Sequence, residues 1–442
     1  MNKIKILFAF IILFGLFESI PNTHSLCSTG ELYVGTAKVD ITPKVAIRMS
    51  GYSARKEPSE GIHDPLYARF LVLDVNGYRV AIISCDLIGY NSRVILDVAR
   101  ERFNIPHVLI CSSHTHSGPD LRDSETYSRS VEKAMINGLD EALKNMFPAR
   151  ISAGYRCFPQ IGYNRLIMRE DGHARATWVG DERITSHNPE RIPYVPVDPE
   201  VGVIKIEDEK GSPRVILMTY ACHSTVNRQN FEISADYPGS ATREVEEAFG
   251  NNTICMFIQG GAGDIAPMFK SPYSRKSPDD EVQTDYNQME KTGSLLAYEV
   301  INVAKSLTPQ INKKITLKAM CDSLKFTGRF DKELKFNVHI TTVLINDDIA
   351  IASFPGEPFV HFQIDWKKRA EVSHPFFFGY TFSSGGNSPG YVPDIRSAAY
   401  GGYGADSSPR AIQVGAGEAI INKHLENLYR LKGIMRDKPG PP

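Results

Sequence analysis

Short apolar runs closed by Gly, Pro, Asn or Asp alternate along this chain with longer stretches whose apolar residues recur every three or four positions. The short runs predict strands over 32–40, 68–75, 78–85, 106–110, 151–155, 201–207, 215–221, 253–259, 316–326, 336–345, 349–354 and 375–382. The longer pattern predicts helices over 94–103, 127–145, 240–249, 286–307, 359–370 and 411–431. In the second of these, Val131, Ala134, Met135, Leu139, Ala142 and Leu143 share one face. Asn76-Gly77 lies between two strand-like runs and is the strongest short hairpin signal in the chain. Gly211-Ser212-Pro213 marks a second turn. Two stretches lack clear periodicity: a polar one over 162–199 and a charged one over 271–285. No internal repeat or linker divides the sequence. The pattern therefore predicts one large α/β domain over 26–442, with a mixed β-sheet core flanked by helices.

The first residues read differently. Lys3 and Lys5 precede an apolar run over 6–17, and Thr23-His24-Ser25 offers small residues for cleavage. These are the parts of a secretory signal peptide over 1–25, with an uncleaved anchor as the alternative. The expected location is thus outside the cell or in its envelope. Leu26 before Cys27 is not the small residue a lipoprotein signal would carry. A net charge of -1 over 442 residues, with no basic cluster, argues against a nucleic-acid partner. The seven cysteines show no CxxC, and Cys85, Cys111, Cys222 and Cys255 each sit in an apolar run. They read as buried thiols rather than a disulfide framework, although sequence alone cannot pair or exclude bridges.

Chemistry gathers where the apolar runs end. The 106–110 strand runs into Cys111-Ser112-Ser113-His114-Thr115-His116-Ser117-Gly118-Pro119. Histidines two apart on extended backbone share a face, which suits a metal or catalytic site. Other runs end at Asp86, His223, Asp264 and Glu357. Gly260, Gly261 and Gly263 allow close backbone approach, but no Lys-Ser/Thr follows, so this is not a phosphate loop.

These segments, in this order, resemble the neutral (non-lysosomal) ceramidases. The matches are Gly51-Tyr52, Gly61-Ile62-His63, His114 to Pro119, Asn164-Arg165, Ala221-Cys222-His223-Ser224, Gly263-Asp264-Ile265-Ala266-Pro267, Pro355-Gly356-Glu357, Tyr391-Val392 and Tyr403. The resemblance implies one catalytic Zn²⁺ held by His114, His223, Glu357 and Tyr391. It places His116, Arg165 and Tyr403 around the metal, facing the substrate head group and the developing oxyanion. Asp264 would orient a site histidine or hold the glycine-rich loop.

This sequence departs from the family in two ways. A serine often assigned a nucleophilic or substrate-orienting role is Ala266 here, so the expected attack is by zinc-activated water without an acyl-enzyme. The family also continues into a C-terminal β-sandwich-like domain, beyond the point where this sequence ends. The leading expectation is a secreted zinc amidohydrolase cleaving a linear, ceramide-like N-acyl bond, with a small-molecule or lipid substrate and peripheral membrane contact. The alternatives are the same hydrolase acting on an N-acyl amino acid, peptide or acylated amino sugar, or a binding protein that keeps the fold without turnover.

Overall fold

The computed structural model describes residues 26–168, 172–176, 196–250, 252–281, 284–309, 314–385, 387–436 and 438. The leader expected over 1–25 lies outside them. Thirteen strands form one mixed sheet. In chain order they are β1 (Leu26–Gly30), β2 (Leu32–Asp40), β3 (Tyr67–Val75), β4 (Tyr78–Cys85), β5 (His107–Ser112), β6 (Phe147–Cys157) and β7 (Glu200–Asp208). There follow β8 (Pro213–Tyr220), β9 (Ile254–Gln259), β10 (Ile315–Thr327), β11 (Lys335–Ile345), β12 (Ile349–Pro355) and β13 (His374–Thr381). The spatial order is β1-β10-β11-β12-β13-β5-β4-β3-β2-β6-β7-β8-β9. Among the described residues the helices are α1 (Arg93–Phe103), α2 (Glu125–Lys144), α3 (Asp236–Phe249), α4 (Asn287–Ser306), α5 (Val360–Arg369), α6 (Ile395–Tyr400) and α7 (Ala416–Leu431).

Alternation along the strands explains why the runs read as continuously apolar. In β4, Val80 and Ile82 face an inner core, while Ala81 and Ile83 face the opposite way against α1 and α2. The inner core unites distant parts of the sheet: Val34, Leu71 and Leu109 meet Leu217, Met256, Ile351 and Phe376. The sheet thus bends over itself, and helices cover its outer faces. Tyr237 of α3 and Leu296 of α4 pack on Val203, Met218 and Phe257. Trp366 of α5 and Leu428 of α7 pack on Val338, Leu344 and Phe377. Each such side chain contributes on the order of 1.5–3 kcal/mol by leaving water.

The elements follow the sequence pattern, with physical reasons where they differ. The helix expected from 411 begins at Ala416. Before it, Gly415 is left-handed, and the Gln413 side chain accepts from the Thr327 N–H. Helix α2 begins two residues early because the Ser124 hydroxyl caps it, accepting from Tyr127 N–H. Both residues of the Asn76-Gly77 turn have positive φ, as a tight hairpin requires. All seven cysteines are free, and Cys85, Cys111, Cys222 and Cys255 are buried as expected.

Within the thirteen-stranded sheet three strand pairs are parallel: β4 with β5, β8 with β9, and β12 with β13. Between β13 and β5 only Thr381 and Cys111 pair, so the sheet parts at that seam. His114 and His116 lie beyond the carboxyl end of β5, His223 beyond β8, Asp264 beyond β9 and Glu357 beyond β12. Carboxyl ends at a parting in an α/β sheet are where such folds place ligands.

Candidate active site

His114 does not sit on extended backbone. Its φ is +61°, and this left-handed turn, rather than strand alternation, swings its ring toward that of His116, 4.9 Å away. His223 completes the group, 5.0 Å from His114 and 5.8 Å from His116. Ligand nitrogens of the three imidazoles lie within 4.8 Å of one another. The two histidine-bearing loops are tied together. The Ser224 hydroxyl and the Gln259 amide both donate to the Ser113 carbonyl, at 2.7 and 3.2 Å. The His116 N–H donates to Ser224 O at 3.2 Å. Gly51 lets this packing close, because a Cβ there would lie 2.5 Å from His116 Cγ.

Hydrogen bonding fixes the tautomers. His114 Nδ1 donates to the Ile88 carbonyl at 2.7 Å, and His223 Nδ1 donates to the Ala262 carbonyl at 2.5 Å. Each Nε2 therefore presents a lone pair. Both face Oε2 of Glu357 at 3.3 Å. Neither His223 Nε2 nor Glu357 Oε2 has a hydrogen-bond partner among the described residues. Burial, reinforced by Arg165, lowers His223 to about 4, and burial with its two neighbouring histidines holds His116 well below the ordinary imidazole range. Neutral imidazoles and a carboxylate converge as acceptors with no donor between them, which is the donor set a divalent cation satisfies.

Glu357 and Tyr391 arrive together because Glu357–Pro358 and Tyr391–Val392 form a short parallel pair. The Tyr391 ring lies 6.3 Å from that of His223. Arg165 is buried, with its guanidinium carbon 5.4 Å from the Tyr391 ring and 5.1 Å from the Tyr403 ring. Of the two roles expected for Asp264, the geometry matches the structural one. Its carboxylate accepts from Val360 N–H at 2.8 Å and from the Asn164 amide at 2.6 Å, and burial raises it to about 6. It touches no site histidine through these bonds, but it holds the loop whose carbonyls accept from His223. A cavity of about 420 Å³ opens onto this group, lined in part by Tyr52, His116, Arg165, Ala266, Tyr391 and Tyr403.

Two strand-end or motif residues lie elsewhere. Asp86 accepts from Arg69 at 2.8 Å in a buried ion pair, and His63 bonds Asp64 while stacking on Tyr286. One site residue escapes a reading by pattern. Tyr380 is buried, its ring lies 4.4 Å from that of His114, and its hydroxyl has no partner among the described residues. The β12–β13 register shifts there, with Ser353 paired to Phe378 but Pro355 to Thr381. The extra residue is a bulge that gives Tyr380 a φ of +55° and re-aims its side chain.

The family described as neutral/alkaline non-lysosomal ceramidase, N-terminal, matches residues 32–294. Among individual relatives, the neutral ceramidase of Pseudomonas aeruginosa is 25% identical over 259 residues, covering 53% of this chain and 36% of that protein. Neutral ceramidase A of Dictyostelium discoideum is 26% identical over 289 residues, covering 58% and 39%. The matched part of the chain thus spans well under half the length of these relatives. A solved structure of a ceramidase complexed with C2 superposes with a TM-score of 0.71 at 16% identity, covering 93% of this chain and 77% of that one. The crystal structure of Pseudomonas aeruginosa neutral ceramidase gives 0.69 at 17%, covering 93% and 76%. At those identities the superpositions show the shared fold.

Proposed function

The chain belongs to the neutral/alkaline non-lysosomal ceramidase family, whose match spans more than half of it, and from that premise we propose a zinc-dependent amidohydrolase that cleaves a linear N-acyl bond of ceramide type. The observation that carries this is the convergence of His114 Nε2 and His223 Nε2 on Glu357 Oε2, each at 3.3 Å, beside His116 and Tyr391, which line the cavity. His114, His223 and Glu357 would hold the ion, with the Tyr391 phenol as fourth ligand. Zinc, when bound, lowers the pKa of a coordinated water to about 7 and polarises a carbonyl oxygen.

The chain's own side chains supply the rest. Arg165, held by the Gly263 carbonyl and by Tyr391, presents a fixed cation to the oxygen that gains charge when the amide carbon becomes tetrahedral. Neutral His116 takes a proton from the attacking water and passes it to the amide nitrogen, which must be protonated before it leaves. Tyr403 lines the same cavity and serves as a phenolic donor to the substrate. Ala266 offers no nucleophile, so the acyl group passes directly to water. Residues 1–25 would export the protein, placing it beside lipid substrates. No described helix is long and apolar enough to cross a membrane.

The test is a panel of fluorogenic N-acyl amides on sphingosine, amino-acid and glucosamine amines, with the metal content of the same preparation measured by elemental analysis. Zinc near one per chain and cleavage within this panel are the expected results. Near-zero metal in active protein would overturn the zinc assignment, and no cleavage of any member would overturn the hydrolase and favour the binding protein.

A further inference from the structure

The cavity leading to the histidines carries positive charge at its mouth, and we propose that the preferred substrate bears an anionic group, as an N-acyl amino acid does, selected by Arg228 and Lys270. This rests on the amidohydrolase reading and replaces its ceramide-type substrate, whose head group is uncharged, with an anionic N-acyl amide. Arg165 lies at the buried end of the cavity, whereas Arg228 is exposed and Lys270 half-buried, so the latter two form its outer wall together with Thr225, Gln229 and Ser274. Among the described residues, none lining the cavity is Asp or Glu.

The outer wall is built rather than draped. The N–H groups of Val226 and Asn227 donate to the buried Asp236 carboxylate, at 3.2 and 3.1 Å. The Asn230 amide donates to the Ser117 hydroxyl at 2.8 Å, and Arg55 donates to the Asn230 carbonyl at 2.8 Å. Arg228 itself has a φ of +53°, a conformation that a residue with a Cβ adopts only where its surroundings impose it. The segment bearing Lys270 is fastened to the same loop, because Ser271 N–H donates to Val226 O and Arg275 N–H to Gln229 O, at 2.8 and 2.9 Å. The backbone segments that carry the two cations are thereby fixed on adjoining walls.

An uncharged head group gains little from such a wall. A carboxylate on the substrate gains charge-assisted contacts and is drawn in from solution, and its acyl amide still reaches Arg165 and the histidines. Ala266, buried and also lining the cavity, leaves a methyl where the family pattern carries a hydroxyl.

The experiment compares octanoylglycine with octanoyl-ethanolamide, near-isosteric amides that differ in carboxylate against hydroxymethyl. The short chain keeps both monomeric, so a membrane surface does not enter the readout. The zinc-loaded full chain should prefer octanoylglycine by on the order of 10-fold in kcat/KM. That ratio should fall toward ~1 in Arg228→Gln with Lys270→Gln, fall partly in each single variant, persist in Arg228→Lys, and shrink as salt rises to ~0.5 M. Equal or faster cleavage of the ethanolamide, or a ratio unchanged in the double variant, overturns the inference and leaves the amidohydrolase standing. Cleavage of neither amide, nor of ceramide, overturns both.

Discussion

At the scale of single residues, the three imidazoles differ in what surrounds them. His114 and His223 each spend Nδ1 on a backbone carbonyl and aim Nε2 at Glu357, whereas both nitrogens of His116 are buried without a partner among the described residues. A ligand fixed through its other nitrogen is oriented before the metal arrives. His114→Ala should therefore bring zinc, measured by elemental analysis, near zero. His116→Ala should keep zinc and lower kcat by about 10²-fold or more. Tyr380→Phe should keep zinc and lower kcat by roughly 10–100-fold, because it removes a buried donor beside the ligand set. Equal zinc loss in the two histidine variants would end the division of labour drawn here. The HxH pair and the His223 strand end were legible in the sequence as polar groups closing apolar runs. Tyr380 was not. It sits inside an aromatic strand, and only the bulge opposite Ser353–Pro355 turns it toward the site.

At the scale of elements, the carboxyl ends of four strands must approach within contact distance, and glycine makes that approach. A Cβ on Gly263 would lie 2.5 Å from the Glu357 carbonyl oxygen and 2.8 Å from that of Pro358, both backbone atoms with little room to move. Gly263→Ala should thus push the glycine-rich loop off the Glu357 strand and loosen the loop carbonyls that accept from His223. A destabilisation of roughly 1–3 kcal/mol is expected by denaturant titration, with weaker zinc retention against a chelator. Wild-type stability together with wild-type retention would show that this contact does not seat Glu357. Local pattern located these elements well, since alternation and Asn76-Gly77 act over a few residues. It did not show the sheet order, the single-pair seam between β13 and β5, or the pairing of Glu357 with Tyr391. Those depend on register between strands far apart in sequence, which periodicity does not encode.

At the scale of the whole molecule, the family match ends at residue 294, yet Glu357, Tyr380, Tyr391 and Tyr403 lie beyond it and reach the site through the shared sheet. Building one core around such a site leaves titratable groups buried throughout, and their signs set the response to pH. His424, between α7 and the sheet, is bonded to the Thr342 hydroxyl and the Ser353 carbonyl at 2.8 Å each, and burial lowers it to about 4. Burial likewise lowers His107 to about 4. The unfolded chain protonates both near pH ~6.5, so it binds protons that the folded state refuses, and stability falls as pH drops from about 6.5 toward 4. In the metal-free protein His116 and His223 act in the same sense. Asp236 and Asp264, raised to about 6 by burial, act oppositely between about 4 and 6, because there the folded state binds the extra proton. Burial also lowers His339, whereas burial raises Asp86 and the Asp64 carboxylate raises His63. The lowered histidines outweigh the raised groups and leave a net loss on acidification, each full pKa unit being worth about 1.4 kcal/mol per group. The urea midpoint of chelator-treated protein should therefore be lower at pH 5 than at pH 7.5. His424→Gln should flatten that difference, and an equal or higher midpoint at pH 5 would contradict the assignment of these histidines as neutral core groups.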